Sequence, residues 1–195
     1  LFPVRSLAGV CAWVTSLDIL NRFIRDLQLT RIAVKWQLPS EPDENECWVG
    51  SNPSVEADGK VTLEEFTYSA KKDSEGRQKI ENIGCWLAKN ALPQTDEYKN
   101  YWCKMLPRHL VILQREDFRD FTQYGTEVTT HIKLVPDTKT VQSGALWTVE
   151  NLPTDTLLYA PLTIMDSRAK GDIAKTATQI KDILRELHHN RTQIG

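Results

Sequence analysis

The residues of this sequence that could do chemistry are few and scattered. The sequence contains no nucleophile elbow, no phosphate-binding glycine loop, no dinucleotide fingerprint and no H-E-x-x-H zinc motif. No two of its four cysteines have the C-x-x-C spacing of a zinc ribbon. We therefore expect no cysteine-based metal site, and we expect reduced, structural thiols at Cys11, Cys47, Cys85 and Cys103.

Other side chains could bind nucleic acid. Arg5 and Ser6 offer a guanidinium and a hydroxyl that could hold a phosphate, although an isolated arginine is usually a surface residue. Trp36, Trp48 and Trp147 lie near predicted loops, where an indole could stack on a base; packing in the core is the alternative.

Composition sets limits on these interpretations. The 195 residues carry 24 Lys plus Arg against 26 Asp plus Glu, a net charge of -2. Any nucleic-acid partner therefore requires a local basic surface rather than a global positive field. The longest uncharged stretch, residues 6–17, is shorter than the roughly 20 apolar residues of a membrane span. We expect a cytoplasmic protein without a membrane partner.

Hydrophobic periodicity places the elements that must position these side chains. Apolar residues recur at helical spacing from Leu17, and again toward the end of the chain. Pro, Gly and acidic residues crowd residues 39–59, which predicts an exposed loop or insertion. The spacing predicts helices over 17–29, 77–90, 96–105 and 172–189, and strands over 2–15, 32–36, 60–68, 110–113 and 157–164.

Residues 126–150 carry the clearest pattern. Val128, Thr130 and Ile132 alternate with polar neighbours, and Pro136-Asp137 supplies turn chemistry before the chain returns. This predicts a β-hairpin, with His131 on its polar face, which is usually solvated. Strands mixed with about four helices and no regular βαβ repeat indicate an α+β fold.

Two segments resemble one known family. Residues 1–15, LFPVRSLAGVCAWVT, resemble the signature of the Cmr-type backbone subunit of type III-B CRISPR RNA-targeting complexes. Residues 144–159, GALWTVENLPTDTLLY, are similar to that family's GALW-x-x-E-x-LP-x-x-TLLY segment. The two segments occur in the family's order, and the resemblance spans nearly the whole chain.

The resemblance implies a single partial RAMP-superfamily domain over residues 1–195, incomplete at both ends. Its palm is expected to be ferredoxin-like and RRM-related, with the hairpin at about 126–150 as a thumb. The implied partners are a CRISPR guide RNA, the target RNA, further copies of the subunit and other Cmr-type subunits.

The resemblance also implies roles for particular residues. Arg5 and Ser6 match the signature near the guide RNA, and His131, Lys133 and Lys139 are further RNA-binding candidates. Glu150 matches an acid that could assist cleavage, as a metal ligand or by orienting a neighbour; a purely structural role is the alternative. The family often has a second acid and an aromatic residue beside it, where this chain has Val149 and Asn151.

The principal catalytic aspartate of the family precedes the signature, and no residue of this sequence matches it. The intact, assembled subunit is therefore expected to be an endoribonuclease dependent on a divalent metal, with Mg²⁺ the expected ion, and this chain alone is expected to be inactive. A non-catalytic scaffold of the same complex is the second hypothesis. An α+β domain that binds a small ligand, without salt-dependent RNA affinity, is the third.

Overall fold

The computed structural model describes residues 1–92, 96–134 and 141–189. The chain divides into two compact units, Leu1–Leu158 and Tyr159–Gly195. In chain order the elements are β1 (Phe2–Ser6), β2 (Val10–Ser16), α1 (Leu17–Leu29), β3 (Glu46–Val49), β4 (Glu56–Ala57), β5 (Lys60–Leu63), β6 (Phe66–Ala70), α2 (Ser74–Ala91), α3 (Asp96–His109), β7 (Leu110–Leu113), α4 (Arg115–Tyr124), β8 (Glu127–Leu134), β9 (Val141–Asn151), a 3₁₀ turn (Gly171–Ile173) and α5 (Ala177–His189).

The first seven strands form one mixed sheet in the order β1-β2-β7-β3-β6-β5-β4. Strand β1 also pairs with β5 through Ser6 and Leu63, which closes the sheet into a barrel-like ring. Two backbone hydrogen bonds flank this pair: Leu7 N–H to the Thr62 carbonyl at 3.0 Å and Glu64 N–H to the Arg5 carbonyl at 2.9 Å. The predicted α+β fold is confirmed.

Strand β7 separates two hydrophobic cores. All four of its residues are fully buried, and successive side chains point to opposite faces of the sheet. Val111 and Leu113 pack with the other inward residues of the ring, whereas Leu110 and Ile112 pack with residues of α1, α2 and α3. The four-residue apolar run at 110–113 therefore forms the buried central strand that the sequence predicts.

Helix α2 begins at a side-chain cap and packs closely against α3. The Asp73 carboxylate accepts a hydrogen bond from the Gly76 backbone N–H at 2.7 Å. On the buried side, a Cβ added at Gly84 would lie 2.6 Å from the Cα of Pro107. Glycine at position 84 therefore lets the backbones of the two helices approach each other.

The structure differs from the expectation of an exposed loop at 39–59. Residues Glu46–Val49 form strand β3, which pairs with β7 and β6, and Cys47 and Trp48 are buried. The Trp48 indole N–H donates to the Ser40 carbonyl at 2.8 Å. The acidic, Pro-rich residues on either side of Glu46–Val49 favour a loop in the sequence. The strand forms because β3 pairs with β6 and β7, which are distant in sequence.

Other boundaries also differ from the predictions. The structure assigns no strand within 32–36 or 157–164. Residues 2–16 form two strands rather than one, joined by a turn in which Gly9 has φ +73°.

The predicted hairpin is present as the antiparallel strands β8 and β9, while its predicted turn lies outside the described residues. Helix α5 begins at Ala177, later than predicted. None of the helices that the structure describes is long and apolar enough to cross a lipid bilayer.

The contact at Gly84 gives a test of the packing of α2. Alanine at an open helical site stabilises by about 1 kcal/mol relative to glycine. Here the added methyl meets backbone atoms of Pro107, and overpacking costs about 1–3 kcal/mol. We therefore expect Gly84→Ala to lower the free energy of unfolding, measured by urea denaturation. The exposed Gln78→Ala on the same helix should have little effect, and a stabilised Gly84→Ala protein would contradict this packing.

Candidate nucleic-acid interface

A groove of about 330 Å³ lies where the first strand meets the base of the hairpin. Strands β1 and β2 contribute one wall. The turn after β5 and the residues that flank the hairpin complete it. The lining residues are Pro3, Val4, Arg5, Cys11, Glu64, Gly125, Glu127, Pro153 and Thr154.

Strand alternation decides which signature side chains reach this groove. Along β1, Phe2, Val4 and Ser6 are buried, whereas Arg5 is exposed. The Ser6 hydroxyl donates to the Thr62 carbonyl at 3.4 Å. The two neighbours that the sequence suggests as a joint phosphate site therefore point in opposite directions. Arg5 can contact a ligand in the groove, and Ser6 instead contributes to the closing of the ring.

The electrostatics of the groove combine one cation with two acids. Glu64 Oε1 accepts a hydrogen bond from the Arg5 backbone N–H at 3.3 Å, and Glu127 lines the same groove. Burial, followed by the charge of Asp155, raises the pKa of the Cys11 thiol. Cys11 is therefore neutral at neutral pH, and Arg5 is the one positive side chain among the described residues that line the groove.

The hairpin places the other candidate residues on two faces. Glu127 pairs with Asn151 and His131 pairs with Trp147, so these four share a face. Val128 pairs with Glu150, which puts Glu150 on the opposite face. Arg5 and the predicted catalytic Glu150 are thus not brought together: Glu127 lines the groove of Arg5, and Glu150 does not.

The surroundings of Glu150 do not form a metal site. Its carboxylate accepts a hydrogen bond from the Thr126 hydroxyl, and its side chain is exposed. Within the described ranges, no group of three or more His, Cys, Asp or Glu side chains could hold a metal ion. The described residues of this chain therefore do not by themselves form a site for the divalent metal that the resemblance implies for the intact subunit.

The remaining candidates follow the hairpin outward. The His131 imidazole stacks on the Trp147 indole, with ring centroids 5.5 Å apart and planes at 13°. Lys133 lies exposed at the irregularity in strand pairing between Ile132 and Leu134, and Lys139 lies outside the described residues. Of the three tryptophans proposed for base stacking, Trp36 and Trp48 are buried with the helix-side core, while Trp147 is half exposed.

Sequence reasoning did not find Glu64 and Glu127 as groove residues. Glu64 has φ +50° in the turn between β5 and β6, and it reaches Arg5 only because β5 pairs with β1. No local sequence signal indicates such a long-range pairing. For Glu127, the alternating pattern of the hairpin predicts which face of the hairpin it lies on. The pattern does not predict that this residue lines a groove with strand β1.

Comparison with known proteins supports the resemblance carried by the two segments. No family model matches the chain. A relative from Pyrococcus furiosus, the CRISPR system Cmr endoribonuclease Cmr4, is 34% identical over 194 residues, which is 100% of this chain and 60% of the relative. The expected resemblance to a Cmr-type backbone subunit is therefore confirmed.

Solved structures agree with this resemblance. A crystal structure of oligomeric Cmr4 from Pyrococcus furiosus matches with a TM-score of 0.60 and 29% identity, over 95% of this chain and 60% of that one. A second Cmr4 crystal structure matches with a TM-score of 0.55 and 26% identity over the same shares. The chain thus spans about 60% of the length of the Cmr4 proteins it matches.

The stack of His131 on Trp147 gives a test of hairpin stability in this chain. An aromatic pair contributes about 0.5–1.5 kcal/mol beyond its buried area. We expect Trp147→Ala to speed amide hydrogen exchange across β8 and β9 by about two- to tenfold, measured by mass spectrometry. Thr148→Ala, on the opposite face, is the matched control. Equal exchange in the Trp147→Ala and control proteins would show that the stack does not stabilise the hairpin.

Proposed function

We propose that this chain is the RNA-binding part of a backbone subunit in a type III-B Cmr complex, where it holds the guide RNA. The observation that carries the proposal is the 34% identity to a Cmr endoribonuclease over the whole of this chain. The partners are the guide RNA, the complementary target RNA, further copies of the subunit and other Cmr-type subunits. A cytoplasmic location follows from this proposal.

Arg5 is the proposed anchor for the guide-RNA backbone. Its side chain is exposed at the groove, and the backbone hydrogen bonds across β1 and β5 fix its position. A guanidinium binds phosphate oxygens in a bidentate manner, without regard to base sequence. A subunit that has to accept any guide sequence needs this kind of contact.

The hairpin is the proposed element for contacts along the RNA duplex. His131 and Trp147 present a stacked aromatic pair, and Lys133 adds a positive charge beyond it. Lys139 is a further candidate on the sequence alone. Exposed aromatic side chains stack on unpaired bases, so a projecting hairpin with such a pair suits a junction where a base leaves its duplex.

Cleavage of target RNA is the proposed activity of the intact, assembled subunit. In this proposal the principal aspartate is not among the residues of this chain, and Glu150 acts as an auxiliary group held by Thr126. Mg²⁺ is the expected ion. The non-catalytic scaffold remains the second candidate, and it is favoured by the placement of Glu150 on the face of the hairpin opposite to Glu127.

The salt dependence of RNA binding tests the role of Arg5. Losing one phosphate contact lowers the slope of log affinity against log salt by about 0.7–1 and weakens binding by severalfold. We expect this result for Arg5→Ala with single-stranded guide RNA, measured by fluorescence anisotropy between low and moderate salt. Arg5→Lys keeps the charge and should keep the slope. An unchanged slope in Arg5→Ala would remove Arg5 from the interface.

Cleavage by reconstituted Cmr complexes separates the two candidate functions. With the subunit at its natural length, Glu150→Gln should slow cleavage of complementary RNA by about tenfold or more while target binding is retained, because a positioned carboxylate contributes to proton transfer. Chelation by EDTA should abolish cutting, and added Mg²⁺ should restore it.

The control for this experiment is Glu116→Gln, an exposed acid on α4 away from the hairpin. Unchanged cleavage in Glu150→Gln would favour a structural role for this residue. Complexes assembled with only the 195-residue chain are expected not to cut RNA. If they cut efficiently, the proposed location of the principal aspartate is wrong.

A further inference from the structure

A second cavity, of about 510 Å³, lies against helix α2 on the side of the core that contains the helices. Four residues of α2 line it at positions i, i+3, i+4 and i+7, which puts them on one face of the helix. These are Asn82, Cys85, Trp86 and Lys89. Lys35 and Trp36, in the segment between α1 and β3, form the facing wall. None of these residues lines the groove at Arg5.

Two indole rings form a corner in this cavity. The centroids of Trp36 and Trp86 are 6.0 Å apart, and their planes meet at 66°. Phe23 packs edge-on against Trp86 at 5.7 Å and supports that ring from α1. A planar group can therefore stack on one indole while its edge contacts the other.

The polar groups of the cavity are predominantly hydrogen-bond donors. Trp36 is 7% exposed, and its buried indole N–H has no acceptor among the residues that the structure describes. The amide oxygen of Asn82 accepts from Gln78 at 3.3 Å, so the group that Asn82 can offer a ligand is its N–H. A buried donor without an acceptor is costly, and a ligand that supplies an acceptor removes that cost.

The charge of the cavity is positive in a chain whose net charge is -2. Lys35 and Lys89 line it, and the described lining contains no carboxylate. Burial and the nearby Glu81 raise the pKa of the Cys85 thiol, so the thiol adds no negative charge at neutral pH. The fitting ligand is therefore an anion that is planar and rich in acceptors. A cavity of this size also falls in the range of small-ligand sites.

We propose that this cavity binds a nucleotide unit, with the base in the corner of Trp36 and Trp86 and the phosphate between Lys35 and Lys89. Bases stack on indole rings, and their ring nitrogens and carbonyls accept hydrogen bonds. The unit can be a free mononucleotide or one residue of a single-stranded RNA, since both present the same chemistry. This site is separate from the groove, and it does not depend on the proposed guide-RNA function.

Calorimetric titration of the purified protein with adenosine monophosphate and with a single-stranded hexa-adenylate tests the proposal. Lys35→Ala combined with Lys89→Ala should weaken binding by about tenfold, because it removes two charge-assisted contacts to phosphate. Trp36→Phe keeps a ring and removes the indole N–H, and it should weaken binding by about threefold. Lys60→Ala combined with Lys72→Ala is the control of equal charge on exposed residues elsewhere, and circular dichroism confirms that every variant is folded.

Binding of both probes, with both weakened by the pocket variants, supports a site for free nucleotides. Binding of the hexa-adenylate alone, with affinity lowered by the same pocket variants, supports a site for one nucleotide within single-stranded RNA. The proposal is overturned if neither probe binds, if the control pair weakens binding as much as the pocket pair, or if a poly-glutamate peptide occupies the site more tightly than either probe. Each titration is repeated in an Arg5→Ala background, which removes the proposed phosphate contact in the groove, so that losses in the pocket variants report on the cavity alone. Failure at the groove and failure at this cavity are then distinguishable.

Discussion

The burial of Leu110–Leu113 on both faces is the constraint on which the rest of the structure depends. This strand pairs in parallel with β2 on one side and antiparallel with β3 on the other, so it joins the N-terminal signature strands to the rest of the ring. Its alternate side chains enter two different cores. A polar residue at any of its positions would lie in one of these cores without water. The four-residue strand therefore fixes where the signature strands and the helices meet.

The alternation of side chains along strands also determines what the functional residues can do. In β1 it exposes Arg5 and buries Ser6. In the hairpin it sends Glu127 and His131 to one face and Glu150 to the other. Any chemistry at Glu150 would thus be separated from the groove that Glu127 lines by the thickness of the two-stranded sheet.

Much of the fold could be predicted from the sequence because its signals are local. The stripe beginning at Leu17, the apolar run at 110–113 and the alternating hairpin all appear as elements of the expected type. Strand β3 could not be predicted, because only pairing with distant strands makes Glu46–Val49 a strand. The same limit applies to the site. Arg5 could be suggested as a binding residue from the signature that contains it. The position of Glu64 beside Arg5 could not be predicted, because it depends on the closing of the ring. The cavity beside α2 could not be predicted either, because it depends on the tertiary packing of Trp36 against Trp86.

The closing of the ring between β1 and β5 has a thermodynamic consequence. Only one residue pair, Ser6 with Leu63, joins these strands, and the backbone carbonyl of Arg5 accepts one of the two hydrogen bonds beside it. The seam of the barrel and the proposed anchor for phosphate therefore share Arg5. Glu64, beside the seam, lines the same groove as Arg5, so the groove has both of these walls only in the closed ring. A ligand that contacts both walls would bind the closed ring more tightly than an open one, and its binding would add to the free energy of closure.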